Sequence, residues 1–181
     1  MFFGDFLANK HCKVDKNGKA VVSNGIKILE NSTLALSNTL KEVVLPKSLK
    51  FIGFRCFSGC SNLEKVNLND GLEGIGSWAF SYCSGLKSLE IPNRINFIGE
   101  CAFEDCFSLE DVLLPKKLTS ISFRAFVNCY SLKSIAIPDT VKEIGGSAFS
   151  NCKSLEHIIL PKNLEYIGAM SFSNCENLKI V

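Results

Sequence analysis

The chain repeats itself every 23 residues, and this period constrains the fold more than any other feature of the sequence. Prolines mark one position of the frame, with Asn69 in the one place left vacant between them: Pro46, Pro92, Pro115, Pro138 and Pro161. Isoleucine, phenylalanine, cysteine and leucine mark four others: Ile52, Ile75, Ile98, Ile121, Ile144 and Ile167; Phe57, Phe80, Phe103, Phe126, Phe149 and Phe172; Cys60, Cys83, Cys106, Cys129, Cys152 and Cys175; Leu63, Leu86, Leu109, Leu132, Leu155 and Leu178. One short unit cannot bury this many apolar groups alone, so successive copies must stack as a solenoid.

Each unit predicts one strand and one tight turn. The unit ends L-x-x-(V/I/L)-x-(L/I)-P, as in Leu155, Ile158 and Leu160 before Pro161. This alternation is typical of a strand with one buried face, and the proline ends the strand. The middle of the unit, G-x-x-A-F, is too short for a helix of several turns and predicts one helical or 3₁₀ turn.

These motifs, L-x-x-V-x-L-P and then L-x-x-I-G-x-x-A-F-x-x-C, resemble the BspA-like (Treponema pallidum-type) leucine-rich repeat over about residues 23–181. The resemblance implies a right-handed leucine-rich-repeat solenoid of the α/β class, mostly β. A parallel sheet would form one face, with short helical or 3₁₀ turns on the other. It also implies that macromolecules bind at the sheet face, as in the cell-surface adhesins that many members resemble.

The repeat frame divides the chain into an N-terminal cap and about seven units. We expect residues 1–22 to form the cap, as a short amphipathic helix followed by a hairpin; Asn17-Gly18 predicts the hairpin because both residues tolerate the positive φ of a tight turn. The first unit is degenerate and the last is incomplete; the units are 23–45, 46–68, 69–91, 92–114, 115–137, 138–160 and 161–181.

The charge and the N-terminal segment exclude several classes of partner. The formal net charge is only +2, so no strong field attracts nucleic acid. The opening MFFGDFLANK has no basic region and only a few apolar residues before Asp5, which predicts neither a signal peptide nor membrane insertion.

Nine cysteines raise the question of disulfides or metal. Six share one column of the repeat, where in-register side chains would keep their Cβ atoms about 4.8 Å apart, beyond the usual ~3.5–4.5 Å of a disulfide. The column therefore predicts buried, unpaired thiols that behave as small apolar groups. We expect Cys12 and Cys101, which lie outside the column, to be the reactive ones.

The unpaired cysteines also bear on where the protein resides. They favour a reducing compartment and hence an intracellular location. A cell-surface or secreted location is the alternative if the sequence is a trimmed fragment.

No catalytic or cofactor motif is evident, so the sequence predicts that the protein is not an enzyme and binds no cofactor or metal. His11 and His157 are the only imidazoles. His157 falls beside Ser134 of the preceding unit, but no acid is placed to orient it. The spacings Cys56–Cys60 and Cys101–Cys106 do not form the C-x-x-C of a zinc site.

The residue after the column leucine alternates in charge along the chain. The column reads Lys41, Glu64, Lys87, Glu110, Lys133, Glu156 and Lys179. In a stacked sheet each charge would have opposite charges on both sides, at about 0.2–1 kcal/mol for each cross-strand pair. The pattern predicts a continuous row of ion pairs that opposes slippage by one repeat.

The outward strand positions supply the candidate binding residues. Apolar and aromatic side chains gather in the later units, flanked by Asp111 and His157; the complete set is Phe107, Asp111, Leu113, Tyr130, Ala136, His157 and Ile159. Contiguous exposed apolar groups with aromatic anchors are typical of interfaces, although β-branched and aromatic residues also favour exposed sheet positions for intrinsic reasons. The leading hypothesis is a protein-binding module with a partner of unknown identity.

The alternative hypothesis is a structural subunit that self-associates through its solenoid ends. The last unit keeps its apolar residues but lacks a complete strand and a polar covering segment. Phe172, Leu178 and Val181 are the candidate contacts of a possible homodimer.

Overall fold

Each 23-residue unit forms one turn of a parallel β-solenoid in the computed structural model, which describes residues 12–179. The apolar segment expected to form the cap helix, His11 and Val181 lie outside the described residues. The described chain begins with an antiparallel hairpin of β1 (Cys12–Val14) and β2 (Lys19–Val22) around Gly18, whose φ is +82°. Strand β2 then pairs in parallel with the first strand of the stack, Lys19 opposite Glu42.

Two lines of strands run along the stack, whereas the sequence predicted one. The two-residue strands form what we call the short-strand face: β3 (Ile28–Leu29), β5 (Phe51–Ile52), β7 (Gly74–Ile75), β9 (Phe97–Ile98), β11 (Ser120–Ile121), β13 (Glu143–Ile144) and β15 (Tyr166–Ile167). The three-residue strands form the long-strand face, which is the predicted sheet: β4 (Glu42–Val44), β6 (Lys65–Asn67), β8 (Ser88–Glu90), β10 (Asp111–Leu113), β12 (Ser134–Ala136) and β14 (His157–Ile159).

The third side of each repeat is a turn that also joins neighbouring repeats through backbone hydrogen bonds. Phe57 N–H donates to the Ala79 carbonyl at 2.8 Å, and the residues two positions before and after Phe57 donate in the same way. Those flanking residues have left-handed backbone angles, as at Gly59 (φ +76°) and Trp78 (φ +55°). The Cys56 N–H, next to Phe57, closes a four-residue turn by donating to Gly53 O at 3.3 Å. The predicted short turns are thus present, and none extends into a helix within residues 12–179.

The predicted columns of apolar residues form one continuous core. The phenylalanines from Phe57 to Phe149 are fully buried, and their rings stack nearly parallel with centroids 5.1–5.6 Å apart. The column isoleucines from Ile52 to Ile144 are at most 3% exposed, whereas Ile167 in the last unit is 44% exposed. Each of these repeats is therefore covered by its neighbours, whereas the last described unit is covered on only one side by residues 12–179.

A column of glycines allows the short strands to approach closely. It comprises Gly53, Gly76, Gly99, Gly145 and Gly168; Ser122 stands between Gly99 and Gly145 in the frame, and Glu30 takes the place in the degenerate first unit. A Cβ at Gly76 would lie 2.8 Å from the Gly53 carbonyl carbon, and a Cβ at Gly145 would lie 2.6 Å from Phe123 N. Real Cβ atoms do not approach backbone atoms so closely, so glycine is required here for space rather than for its dihedral freedom.

The short-strand face is interrupted where serine replaces this glycine. Strands β3, β5, β7 and β9 form one sheet and β11, β13 and β15 another, with no pairing between β9 and β11. Gly99 and Gly145 each donate their N–H to the carbonyl oxygen of the column isoleucine in the preceding repeat, at 2.8 Å. At Ser122 the hydroxyl donates to Ile98 O instead. The side chain that holds the strands apart thus supplies a replacement hydrogen bond.

The long-strand face is also interrupted, between β6 and β8. Strands β1, β2, β4 and β6 form one sheet, and β8, β10, β12 and β14 form the next. The break lies beside Asn69, which replaces the frame proline and donates to Pro46 O at 3.1 Å and Leu49 O at 3.3 Å. The single uninterrupted sheet expected from the sequence is therefore divided in two.

The predicted continuous row of ion pairs is wrong in extent. Of the alternating column, only Glu110 and Lys133 form an ion pair, at 2.6 Å, among the described residues. Glu64 and Lys87 face each other across the break between β6 and β8, and exposed charges elsewhere gain little from a fixed pairing. Ion pairs that the sequence analysis missed form just before the short strands, Lys50–Glu73 at 2.9 Å and Lys142–Glu165 at 2.8 Å.

We expect Gly76→Ala to lower the free energy of unfolding by about 1–3 kcal/mol, the usual cost of overpacking. The added methyl has only backbone atoms of the preceding repeat to displace. Ser122→Ala is the matched control in the same column, because this site already accommodates a Cβ and would lose only one hydrogen bond, about 1 kcal/mol. Urea denaturation followed by circular dichroism measures both. Equal losses in the two variants would contradict the steric role of the glycines.

Candidate functional site

The candidate binding surface lies on the long-strand face of units 92–160. Strand pairing places Asp111 opposite Ser134 and Ser134 opposite His157. The same register puts Ala136 opposite Ile159, with Leu113 on the other side of Ala136. Since successive strands lie about 4.8 Å apart, these outward side chains form two adjacent rows.

One row is an exposed apolar strip, which we define as Leu113, Ala136 and Ile159. Leu113 is 59% exposed and Ile159 is 74% exposed, although both belong to well-formed strands. The residues that precede Leu113 and Ala136 in the same strands, Val112 and Ile135, point into the core and are at most 8% exposed. The strip therefore results from strand alternation in a sheet whose outer face is exposed at these positions within residues 12–179.

Two aromatic rings border the strip, on the turns that lead into β10 and β12. Phe107 and Tyr130 stack with centroids 5.1 Å apart and an interplanar angle of 10°. They are 37% and 40% exposed, so part of each side chain is accessible for contact. Lys153 Nζ lies 5.9 Å from the Tyr130 ring centroid, a cation–π contact that the sequence analysis did not anticipate. The pair is rigid and presents aromatic area without further ordering.

Asp111 and His157 are both exposed and occupy the polar row beside the apolar strip. They do not form an ion pair with each other, since Ser134 separates them in the register. Ser134 and His157 are neighbours, but no carboxylate hydrogen-bonds to His157 among the described residues. The arrangement resembles a polar margin around an apolar surface more than a catalytic group.

A cleft opens on the same face at the break between β6 and β8. Its volume is about 950 Å³, and its lining is mostly polar, with Lys65, Asn67, Ser88 and Glu90 along its walls. Glu90 pairs with Leu113 in the strand register, so the cleft adjoins the apolar strip. In the sequence, the only sign of this cleft is Asn69, which stands where the other units have a proline.

The cysteine column is held by hydrogen bonds as well as by packing. Each thiol donates to a carbonyl of the preceding repeat, as from Cys83 Sγ to Phe57 O at 3.2 Å and from Cys106 Sγ to Phe80 O at 3.2 Å. Burial raises the pKa of the Cys106 thiol to about 12. All nine cysteines are free, as the sequence predicted. A thiol donor explains why cysteine, rather than another small apolar residue, suits this position.

The expectation that Cys12 and Cys101 are the reactive thiols is wrong. They are 1% and 2% exposed, and burial raises their pKa values to about 11 and about 12. Cys175, a member of the column, is the one cysteine that is only partly buried, because no described repeat covers it. Position in the stack, rather than position in the repeat, determines access.

We expect one fast thiol, Cys175, in a titration of the native protein with Ellman's reagent at pH 8. Burial raises the pKa of all nine thiols, and the thiolate is the reactive form, but only Cys175 is partly accessible to the reagent. Cys175→Ser should remove the fast phase, whereas Cys101→Ser should leave it unchanged. Rapid labelling of several thiols without denaturant would refute the buried column.

Residues 12–179 contain no group of three or more His, Cys, Asp or Glu side chains that could hold a metal ion. Within the same range, no helix has the length and hydrophobicity to cross a bilayer.

Comparison with known sequences decides the family. Six copies of the BspA type leucine rich repeat region match residues 12–129 and 96–181. The chain belongs to this family. The resemblance inferred from the repeat motifs is thereby confirmed, as is the leucine-rich-repeat solenoid fold.

Solved structures of similar proteins agree. The T. pallidum leucine rich repeat protein is 30% identical over 91% of this chain and 79% of its own, with a TM-score of 0.87. A leucine-rich repeat protein from Bacteroides ovatus is 26% identical over 85% of this chain and 52% of its own, with a TM-score of 0.61. A leucine rich cell surface protein from Faecalibacterium prausnitzii shares the fold, at 23% identity over 88% of this chain and 57% of its own, with a TM-score of 0.63. No curated protein matches the sequence.

Membership of this family indicates a protein–protein interaction module, and no catalytic family is indicated.

Proposed function

We propose that this BspA-type repeat protein is a non-enzymatic module that captures a protein partner on its long-strand face. The main support for this proposal is the apolar strip, in which the strand residues Leu113 and Ile159 are 59% and 74% exposed. Exposed apolar groups that are contiguous and rimmed by polar residues are typical of interaction surfaces.

The aromatic pair supplies the anchors of the proposed interface. Interface energy concentrates in a few aromatic and apolar residues that exclude water from their contacts. Phe107 and Tyr130 are held in one orientation by their mutual stacking, so binding would cost little side-chain entropy. Asp111 and His157 would form the polar rim. The complementary surface on the partner would be an apolar ridge with hydrogen-bonding groups at its edge. This chain would then act as an adhesin-like protein or as an inhibitor or effector of another protein.

We expect Leu113→Asp with Ile159→Asp to abolish capture of the partner without unfolding the solenoid. Both side chains are solvent-exposed, so the charges are not buried in the core, but they would be desolvated in an apolar interface. A photo-crosslinking residue at Ala136 identifies what contacts the strip, and far-UV circular dichroism checks the fold.

The matched control is Ile28→Asp with Met170→Asp, which changes two comparably exposed apolar residues, at 57% and 72%, away from the strip. The crosslinked partner should persist in the control and disappear in the strip variant. Equal recovery in both would move the binding surface to another face of the solenoid.

Self-association through the last described unit is a second candidate function, as a structural or assembly subunit. Ile167 is 44% exposed, and Phe172 and Leu178 are only partly buried, although their counterparts in earlier repeats are core residues. The N–H groups of Met170, Phe172 and Asn174, whose counterparts in earlier units donate to the next repeat, have no backbone acceptor among the described residues. A two-fold dimer would bring such amides against each other, donor to donor, so its stability must come from burying these apolar side chains.

We expect a homodimer that dissociates in Phe172→Glu with Leu178→Glu, because two charges would be placed in the proposed contact. Light scattering over a concentration series measures the mass. The strip variant, Leu113→Asp with Ile159→Asp, is the control and should remain dimeric. A strict monomer at tens of micromolar would refute self-association, and so would a dimer that survives the glutamate substitutions in a folded protein.

A further inference from the structure

The break in the short-strand face between β9 and β11 opens a small pocket on the side of the molecule away from the apolar strip. Its volume is about 290 Å³, slightly below the range of about 300–1,000 Å³ that is usual for small-molecule sites. A pocket of this size suits one side chain of a partner better than a cofactor.

The pocket exists because of Ser122. Everywhere else in the column glycine lets the strands meet, and a Cβ there would collide with the backbone of the preceding repeat. At Ser122 the strands stay unpaired, and the hydroxyl, already engaged with Ile98 O, lies in the pocket wall. The opening therefore coincides with the one serine that interrupts the run of column glycines from Gly53 to Gly168.

Aromatic rings and carboxylates converge on this opening. Its lining includes Phe97, Phe123 and Tyr166, which are 55%, 47% and 58% exposed. Glu100 and Glu143 also line it, and both are exposed. Aromatic faces carry partial negative charge, and the carboxylates carry full negative charge, so the pocket is electrostatically complementary to a cation.

The two carboxylates differ from their neighbours in having no counter-charge. Just before the short strands, Glu73 is paired with Lys50 and Glu165 with Lys142. Neither Glu100 nor Glu143 has a cationic group within 4.0 Å among residues 12–179. The negative charge of these two carboxylates is therefore not neutralised by an ion pair within the described residues.

We propose that this pocket binds an arginine side chain presented by a protein partner. A guanidinium is planar, stacks on aromatic faces and forms forked hydrogen bonds with carboxylates, whereas a lysine ammonium is a point charge with stronger hydration. The carboxylates of Glu100 and Glu143 would accept the forked hydrogen bonds, and the rings would cover the flat faces of the group. This site lies on a different face from the proposed interface and does not depend on it.

The probe is N-acetyl-arginine amide, titrated into the ¹⁵N-labelled full chain and followed by amide chemical shifts. We expect saturable shifts centred on residues 97–100 and 120–123. N-acetyl-citrulline amide, which has the same shape without the charge, should bind at least about fivefold more weakly, as should N-acetyl-lysine amide. Equal shifts with the arginine and citrulline probes, or shifts that map elsewhere, would overturn the proposal.

Three variants separate the pocket from general surface charge. Glu100→Gln with Glu143→Gln should weaken binding about fivefold or more, whereas Glu73→Gln, which changes a paired carboxylate, should not. Ser122→Gly restores the column glycine and should let β9 and β11 pair, closing the pocket and removing the shifts. Unchanged binding in Ser122→Gly, or in the double glutamine variant, would show that this pocket is not the site.

Discussion

The close approach of successive backbones is the constraint on which the rest of this structure depends. Repeats stack so tightly on the short-strand face that a Cβ at Gly145 would lie 2.6 Å from the backbone of the preceding repeat. On the turn face, amides of one repeat donate to carbonyls of the next, as from Phe57 N–H to Ala79 O. With the backbones fixed at this spacing, the phenylalanines stack in one column and the thiols reach carbonyl oxygens of the preceding repeat.

The departures from the repeat are where the surface acquires individual features. Ser122 interrupts the short strands and leaves a pocket lined by aromatic and acidic residues. Asn69 lies at the interruption of the long strands, where a polar cleft adjoins Leu113 through Glu90. Outward strand positions are not restrained by stacking, so Leu113 and Ile159 can be apolar without affecting the core. The buried positions specify the solenoid scaffold. The departures from the repeat and the exposed strand positions form the candidate binding surfaces.

The sequence predicted the core well because its period is strict. The columns of Ile, Phe, Cys and Leu identified the buried residues, and the strand register of 23 residues followed from them. The stacking of Phe107 on Tyr130 also follows from that period. The second line of strands was missed because two residues, such as Phe51 and Ile52, are too few to show an alternating pattern.

The features that the sequence did not reveal depend on distances rather than on pattern. The interruption at Ser122 could be recognised only once the glycine column was known to leave no space for a Cβ. The burial of Cys101 depends on its neighbours in the stack, which its position outside the cysteine column did not show. The buried thiols also donate to carbonyl oxygens, so packing keeps them unpaired and their state says little about the compartment in which the protein resides.

Native-state hydrogen exchange at three amides of one column tests the stacking constraint most directly. Gly99 and Gly145 donate their N–H groups to Ile75 and Ile121 carbonyls at 2.8 Å, whereas Ser122 N–H has no backbone acceptor in the described chain. We expect slow exchange at Gly99 and Gly145, and exchange at Ser122 faster by on the order of a hundredfold, since an amide without a hydrogen bond exchanges without local unfolding. Equal protection at all three positions would show that the strands pair through Ser122 and that its side chain does not separate them.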